Sequence, residues 1–154
     1  MAEDPKLSKI VSGAQTGVDR AALDVALALG YPCGGWVPKG RRSEDGRVPA
    51  SYPVRETGGR GYAERTLLNV RDSDATLILT RGKPTGGTAL TLEYALNLDR
   101  PSRVVDLLGA TMPGQVKEWL VEKEVVVLNV AGPRESSSPG IYDQAKEFLA
   151  ALLS

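Results

Sequence analysis

Two glycine-containing segments of the sequence combine residue types that can bind a phosphate group. The first, SGAQTGVD at residues 12–19, follows a short apolar stretch and precedes a helical pattern. The second, PTGGT at residues 84–88, follows the apolar run ATLILT. Glycine lets a ligand approach the backbone closely, and the N–H groups at the start of a helix attract anions. The candidate ligand-binding residues in these segments are Gly13, Gln15, Thr16, Gly17, Gly86, Gly87 and Thr88.

Neither segment matches the dinucleotide-binding pattern G-x-G-x-x-G or a Walker A loop, and packing alone also explains a glycine turn between a strand and a helix. The presence of two such segments in one chain favours the binding interpretation. Asp19 disfavours a phosphate directly beside it. We interpret its carboxylate as an acceptor for a donor group on the ligand, with pairing to Arg20 or capping of the helix as alternatives.

A cationic segment, WVPKGRR at residues 36–42, supplies positive charge for an anionic ligand. Lys39 and Arg41 are its candidate ligand-binding residues, because ammonium and guanidinium groups both pair with phosphate. A solvated basic turn is the alternative interpretation. Farther along, Asn69 is a candidate for binding hydroxyl groups of a ligand, with helix capping as the alternative.

The composition excludes several classes of function. The chain has no histidine and 1 cysteine, so Ser-His-Asp or Cys-His catalysis and an intrachain disulfide are impossible. Lys plus Arg (19) balance Asp plus Glu (19), which indicates no nucleic-acid partner. No apolar run approaches the roughly 20 residues of a membrane helix, and the polar start has no signal-peptide pattern. We therefore expect a cytoplasmic protein that does not bind membranes.

Short apolar strands alternate with helical patterns along the chain. Strands are predicted at 10–11, 33–37, 75–80, 102–105 and 125–130, and helices at 19–29, 62–70, 89–98, 113–122 and 142–153. Thr88 is predicted to cap the third helix, and residues 38–61 are predicted to be a long loop. The alternation predicts a single α/β domain over residues 1–154, with residues 1–8 flexible. Its fold is Rossmann-like and doubly wound, a mainly parallel sheet with helices on both faces and ligands at the carboxyl ends of the strands.

Four motifs in order carry a resemblance to a known family. They are SGAQTGVDRAALDVAL, GGWVPKGRRSEDGRVP, ERTLLNVRDSDATLIL and GGTALT. This set resembles the family known as "putative molybdenum carrier", within the lysine-decarboxylase-like group of Rossmann-type nucleotide-binding proteins. The resemblance implies a homo-oligomer, a tetramer or a dimer, that binds the molybdenum cofactor (molybdopterin), a phosphorylated pterin whose own sulfurs hold the metal.

The resemblance also implies roles for the candidate residues. Gly86, Gly87 and Thr88 would hold the phosphate, and the loop of residues 13–17 would line the other side of the ligand. Lys39 or Arg41 would neutralise charge. Two positions depart from the family pattern, which often has glycine at Ala14 and cysteine at Val37.

A non-catalytic binding or carrier protein for a phosphate-bearing small molecule is the leading functional hypothesis. The alternatives are a nucleotide-sensing module and a hydrolase that cleaves the N-glycosidic bond of a nucleoside monophosphate. The hydrolase requires a carboxylate beside the phosphate, and Glu93, five residues beyond Thr88, is the candidate in the sequence. Whether the protein is an enzyme is left open, with preference for no catalysis.

Overall fold

The structure, a computed structural model, describes residues 3–154. It confirms the α/β, Rossmann-like fold, with a parallel sheet of five strands in the order β2-β1-β9-β7-β8. These strands are β1 (Lys9–Val11), β2 (Cys33–Gly34), β7 (Ala75–Thr80), β8 (Ser102–Asp106) and β9 (Val127–Ala131). Between β2 and β7 lie the short strands β3 (Trp36–Val37), β4 (Arg42–Ser43), β5 (Gly46–Arg47) and β6 (Arg55–Glu56). The helices are α1 (Val18–Leu29), α2 (Tyr62–Arg71), α3 (Gly86–Asn97), α4 (Pro113–Glu122) and α5 (Ile141–Leu153).

The helices divide between the two faces of the sheet. Helix α5 packs against α1 and α4 on one face, and α2 packs against α3 on the other. The chain leaves β1 toward β2 at one edge, whereas it leaves β7 toward β8 at the opposite edge. Right-handed crossovers in opposite directions place α1 and α3 on opposite faces. The topological switch point, where such folds bind ligands, therefore lies above β1, β9 and β7.

Two apolar clusters hold these layers together. Every residue of β7 is buried, as its continuous apolar pattern predicts for a central strand covered on both faces. The larger cluster packs β1, β7 and β9 against helices α1, α4 and α5. A smaller cluster lies under residues 38–61 and consists of Ala14, Leu23, Val37, Val48 and Val54. The segment after β3 is thereby fastened to the first loop and to α1.

Several element bounds differ from the sequence-based prediction. The strand predicted at 33–37 is two strands in different sheets, because Gly35 separates β2, which pairs with β1, from β3, which pairs with β6. Residues 38–61 are an ordered excursion with a two-residue hairpin turn between β4 and β5 rather than a structureless loop. The predicted cap at Thr88 is wrong. Thr85 has the extended backbone of an N-cap, and its carbonyl oxygen accepts the Thr88 N–H at 3.1 Å.

The amino-terminal residues that the structure describes contact the domain. Leu7 packs against the larger core cluster, and the Ser8 N–H donates to the Val126 carbonyl oxygen at 2.8 Å. Residues 1 and 2, part of the segment predicted to be flexible, lie outside the described residues, and that prediction stays open. None of the helices between residues 3 and 154 combines the length and the apolar character needed to cross a membrane.

Candidate functional site

A cavity opens at the carboxyl ends of the central strands, at the topological switch point. It encloses about 230 Å³ and is open to solvent on one side. Its walls come from the loop after β1, the start of α3, one face of α2 and the loop after β9. Seven of the sequence-predicted residues line it, namely Gly13, Gln15, Asp19, Asn69, Gly86, Gly87 and Thr88. The structure thus brings the two glycine segments together, although about 70 residues separate them in the chain.

The start of α3 presents unpaired backbone donors to this cavity. Thr85 at the N-cap makes no side-chain hydrogen bond to the helix, and the first turn contains no acidic residue. Among residues 3–154, the backbone N–H groups of Gly86 and Gly87 have no acceptor. The amino-terminal end of a helix carries the equivalent of about half a positive charge. This end of α3 can therefore bind an anion with backbone donors alone.

A buried pair of opposite charges forms the facing wall. Asp19, in the first turn of α1, lies with its Oδ2 3.9 Å from Nη1 of Arg65 on α2. The Arg65 side chain is 10% exposed and that of Asp19 is 9% exposed. Burial raises the pKa of Asp19 to about 6, an effect that the positive charge of Arg65 partly opposes. Burial likewise lowers the pKa of Arg65, and the Asp19 carboxylate opposes that shift.

Arg65 also fastens the first glycine loop. Its Nη1 donates to the carbonyl oxygen of Gly13 at 2.6 Å. A Cβ atom at Gly13 would lie less than 3.0 Å from that same nitrogen, so the absence of a side chain is what admits the guanidinium group. The glycine predicted to allow close approach of a ligand thus allows close approach of an arginine. The guanidinium group brings positive charge to the cavity wall.

Two predicted residues line the cavity while their side chains also bond to the protein. Asn69 accepts a hydrogen bond from the Trp36 N–H at 2.7 Å and donates to the Trp36 carbonyl oxygen at 3.0 Å, which fastens β3 to α2. The Gln15 side-chain oxygen accepts the Glu44 N–H at 2.9 Å. Asn69 thus has both of its amide atoms in structural hydrogen bonds, and its role as a ligand contact stays a prediction.

Thr16 and Gly17 do not line the cavity. They lie on the opposite side of the same loop, in a shallow depression beside Tyr52. The Thr16 hydroxyl donates to the Glu44 carboxylate and accepts the Glu135 N–H, the latter at 3.1 Å. These contacts join the first loop to the β4–β5 turn and to the loop after β9. Thr16 therefore holds the loops around the cavity together instead of contacting its interior.

The structure does not bring Lys39 or Arg41 to the cavity. Lys39 is exposed, and its backbone N–H donates to Gly59 at 2.7 Å. The Arg41 guanidinium donates instead to four carbonyl oxygens of the excursion, those of Val48 (2.9 Å), Pro49 (2.6 Å), Tyr52 (3.0 Å) and Val54 (3.3 Å). Arg41 therefore organises residues 48–54, and the positive charge near the cavity comes from other residues.

Sequence reasoning missed several polar residues of the cavity wall, namely Arg65, Thr66, Thr91, Asn129, Arg134 and Ser137. Two of them had a detectable signal. Arg65 precedes Asn69 by four residues, which places both on one face of a helix. Asn129 interrupts the apolar run VVVLNV, and a polar residue in a buried strand is a candidate for function. Arg134 lies in the loop after β9, where residue type alone carries no signal.

The two departures from the family pattern have different consequences. Ala14 has a left-handed φ of 57°, so this chain places an alanine where the backbone favours glycine. Val37 is buried in the smaller apolar cluster and does not line the cavity. Cys33 also lies outside the cavity, and burial raises the pKa of its thiol. Among residues 3–154, His, Cys, Asp and Glu side chains form no group that could hold a metal ion.

The carboxylate proposed for a hydrolase is also displaced from the cavity. Glu93 is exposed on α3 and is not part of the cavity wall. Asp19 is the carboxylate residue that lines it. A glycosidic hydrolysis that depends on Glu93 therefore has no support in this geometry.

Comparison with known proteins identifies the family. The model of the circularly permutated YpsA SLOG family matches residues 10–153. The chain belongs to this family. All four walls of the cavity lie within the matched residues, so the site of this YpsA SLOG family member is part of the family domain.

A solved structure supports the same relationship. The crystal structure of a protein named "putative molybdenum carrier protein", from Syntrophus aciditrophicus SB, has a TM-score of 0.97 to this chain at 43% sequence identity, and the match covers 99% of this chain and 98% of that one. The resemblance that the four motifs carry is thereby confirmed. A search of the curated proteins finds no match.

Proposed function

We propose that this protein binds a phosphate-bearing small molecule and acts as a non-catalytic carrier for the phosphorylated pterin of the molybdenum cofactor. The observation that carries the proposal is the uncapped start of α3, whose Gly86 and Gly87 N–H groups open on the cavity. N–H groups that no side chain caps are satisfied by water or by a ligand, and those of Gly86 and Gly87 open on the cavity, where a ligand can reach them. A phosphate group supplies the acceptors that they lack.

The charges around the cavity support an anionic ligand. Arg65 and Arg134 line it, whereas Asp19 is its one carboxylate among the described residues. The positive end of the α3 dipole adds to the two guanidinium groups. Arginine is well suited to phosphate because its planar donors match two phosphate oxygens at once.

The donor set also fits a phosphopterin in which the ligand itself holds the metal. Strands β1 and β7 are separated by β9, and two interstrand spacings place their ends roughly 10 Å apart. A phosphate at α3 and a heterocycle near Asp19 would occupy the two ends of that span. The chain offers no cysteine or histidine at the cavity, so a metal there would be bound by the sulfurs of the pterin dithiolene. The neighbour's name supports the same ligand class.

Replacement of Gly87 tests the phosphate site. A Cβ at this position meets no atom within 4 Å, so a side chain fits without disturbing the fold. We expect Gly87→Asp to weaken binding of a phosphopterin about tenfold to a hundredfold, because a carboxylate would compete for the helix N–H groups and repel the phosphate. Gly87→Asn has the same shape without the charge and is expected to retain most of the affinity. Isothermal titration at equal ionic strength measures the difference.

The identity of the ligand is tested by native mass spectrometry of the freshly purified protein, together with molybdenum analysis. Retention of a phosphopterin, lost in Gly87→Asp and kept in Gly87→Asn, supports the carrier function. Retention of AMP with release of free base on incubation would overturn it in favour of a hydrolase. Equal binding of a phosphopterin by both variants would show that the phosphate does not bind at the start of α3.

We also propose that the protein forms a homo-oligomer, a dimer or a tetramer. Exposed large apolar residues lie at the end of α3 and just after it, on the edge strand β8 and in the loop after β8, namely Leu96, Leu98, Val104, Leu108 and Met112. A second copy would cover this surface. Light scattering coupled to size exclusion is expected to give more than one chain per particle, and Leu96→Lys is expected to reduce that number. Leu27→Lys, the same replacement on the exposed side of α1, serves as the matched control, and a monomeric wild-type protein would contradict the proposal.

A further inference from the structure

The carboxylate of Asp19 has acceptor capacity that the protein does not use. Among residues 3–154, its Oδ1 is buried and has no hydrogen-bond partner, the one such side-chain atom of the part that the structure describes. Its Oδ2 lies 3.9 Å from Arg65 Nη1, which is an ion-pair separation and longer than a hydrogen bond. An ionised carboxylate has about four acceptor positions. The backbone N–H groups of Gln15 and Gly132 also approach this carboxylate, which leaves about two of its acceptor positions free.

A buried carboxylate in this condition is costly to the fold. Removing an ionised carboxylate from water costs several kcal/mol unless hydrogen bonds replace the lost hydration, on the order of magnitude that buried ions show. Asp19 is not remote from ligands, however, because it lies in the wall of the cavity. Because Oδ1 itself is buried, a molecule bound there reaches both oxygens only after a local shift of the carboxylate, and it then supplies the missing partners.

We propose that Asp19 is the specificity-determining residue of this cavity and that it selects ligands whose ring presents two adjacent N–H donors, as a 2-amino-4-oxopyrimidine edge does. This inference rests on the proposed phosphate site at α3, because the phosphate sets which end of the ligand faces Asp19. Pterins and guanine share this edge. Adenine lacks it.

The chemistry of the two edges explains the selection. In a 2-amino-4-oxopyrimidine, a ring N–H and an exocyclic amino group point the same way and match the two oxygens of a carboxylate, as the donors of a guanidinium group do. The corresponding edge of adenine has a ring nitrogen with a lone pair, which repels a carboxylate oxygen. A bidentate pairing of this kind discriminates by about 1–3 kcal/mol, or roughly tenfold to a hundredfold in affinity.

Charged groups on three elements surround Asp19 and bear on its ionisation. These are Arg65 on α2, Arg20 on α1 and Arg134 in the loop after β9. Arg65, the backbone N–H groups of Gln15 and Gly132, and Arg20 all lower the pKa of Asp19. Burial outweighs them and raises the pKa of Asp19 to about 6. The ionised form accepts both ligand hydrogen bonds, so affinity for the two-donor edge is expected to fall as the pH drops below about 6.

The test compares GMP, AMP and a phosphopterin by isothermal titration to the full chain at about pH 7.5 and about pH 5. At the higher pH we expect the affinities for GMP and for the phosphopterin to be at least about tenfold higher than the affinity for AMP. GMP is expected to lose about tenfold in affinity at the lower pH relative to AMP, because about one tenth of the Asp19 side chains would remain ionised. AMP carries the same phosphate group as GMP and so controls for titration of the phosphate.

Asp19→Asn, which keeps the shape and removes one acceptor, is the matched variant. It is expected to reduce the preference for GMP over AMP to less than about threefold and to remove its pH dependence, with AMP affinity retained. Should this variant fail to fold, the pH comparison in the wild-type protein decides. Equal affinities for GMP and AMP at both pH values would overturn the inference.

The outcomes also separate this inference from the carrier function. If binding of the phosphopterin and of GMP both depend on Asp19, the carrier function and the role of Asp19 are both supported. GMP binding without phosphopterin binding supports the role of Asp19 and overturns the carrier function in favour of a guanine nucleotide. Phosphopterin binding that is unchanged in Asp19→Asn supports the carrier function and overturns the role of Asp19.

Discussion

Arg65→Met is expected to lower the free energy of unfolding by about 4 kcal/mol near pH 7.5, because it leaves the Asp19 carboxylate buried without its counter-charge. Both side chains are nine-tenths buried, so water cannot replace the lost interaction. The variant also loses the hydrogen bond of 2.6 Å from Arg65 to the carbonyl oxygen of Gly13. Methionine has a similar length and no charge, so the volume of the site is largely kept. Denaturant unfolding followed by circular dichroism measures the change.

The pH dependence of this loss identifies its cause. The folded-state pKa of Asp19, about 6, is higher than the ordinary value of 3.8 for an aspartate, so the folded protein binds more protons between these two values. The contribution of Asp19 to stability is therefore greatest below about pH 4, falls as the pH rises through about 6, and changes by up to about 1.4 kcal/mol per pH unit. Removal of Arg65 raises this pKa further, and we expect the variant to recover part of its stability near pH 5.

Arg41→Met is the matched control for this prediction. Arg41 is also an arginine with several hydrogen bonds, yet its partners are four carbonyl oxygens and no carboxylate. Its replacement is expected to cost about 2 kcal/mol equally at both pH values. If Arg65→Met loses the same amount near pH 5 as near pH 7.5, Asp19 does not carry a buried charge in the folded protein.

The parts of the fold that depend on local sequence were predictable. The strand at Ala75–Thr80 and the helix at Pro113–Glu122 match their predicted bounds, because a continuous apolar run and a proline at the first helical turn act within one segment. The alternation of strands and helices was enough to predict a parallel sheet with a layer of helices on each face. Gly30 ends α1 in the left-handed conformation, with a φ of 80°, as its position predicts.

The segment between β2 and α2 was not predictable in detail, since its structure depends on pairing between distant residues. Its strands have two residues each, too few for an alternating pattern. Trp36 pairs with Arg55, and Arg41 binds carbonyl groups at 48–54, so each contact requires the rest of the excursion to be in place. For the same reason, the sequence suggested that Arg41 binds the ligand, whereas in the structure its guanidinium group binds backbone carbonyl oxygens.

The sequence predicted the glycine loops and Asp19 of the cavity wall, but not its positive charges. Gly86 and Gly87 precede a helix in the sequence, and that order suffices to place open N–H groups at the end of a strand. The pairing of Asp19 with Arg65 joins two helices on opposite faces of the sheet, which no local pattern shows. Only the assembled sheet brings these side chains to one wall.

Gly35→Ala is expected to lower the free energy of unfolding by more than about 4 kcal/mol, because the new methyl group would collide with the backbone of the loop after β1. Gly35 has a φ of 142°, and a Cβ there would lie less than 3.0 Å from the carbonyl oxygen of Ser12. The backbone of Ser12 cannot retreat freely, since its hydroxyl donates to the carbonyl oxygen of Asp19 at 2.7 Å and accepts the Ala14 N–H at 3.1 Å. Any shift of Ser12 therefore moves the residues that form the cavity wall.

Gly46→Ala separates backbone strain from this contact. Gly46 also has a positive φ, 112°, yet a Cβ there meets no atom within 4 Å. Its replacement is expected to cost about 1–3 kcal/mol, the cost of the disfavoured backbone conformation alone. Equal losses in the two variants would show that the Ser12 contact adds nothing. A larger loss in Gly35→Ala, accompanied by weaker binding at the cavity, would show that the closeness of β1 to the β2–β3 turn is what holds the loop of Asp19 in its place.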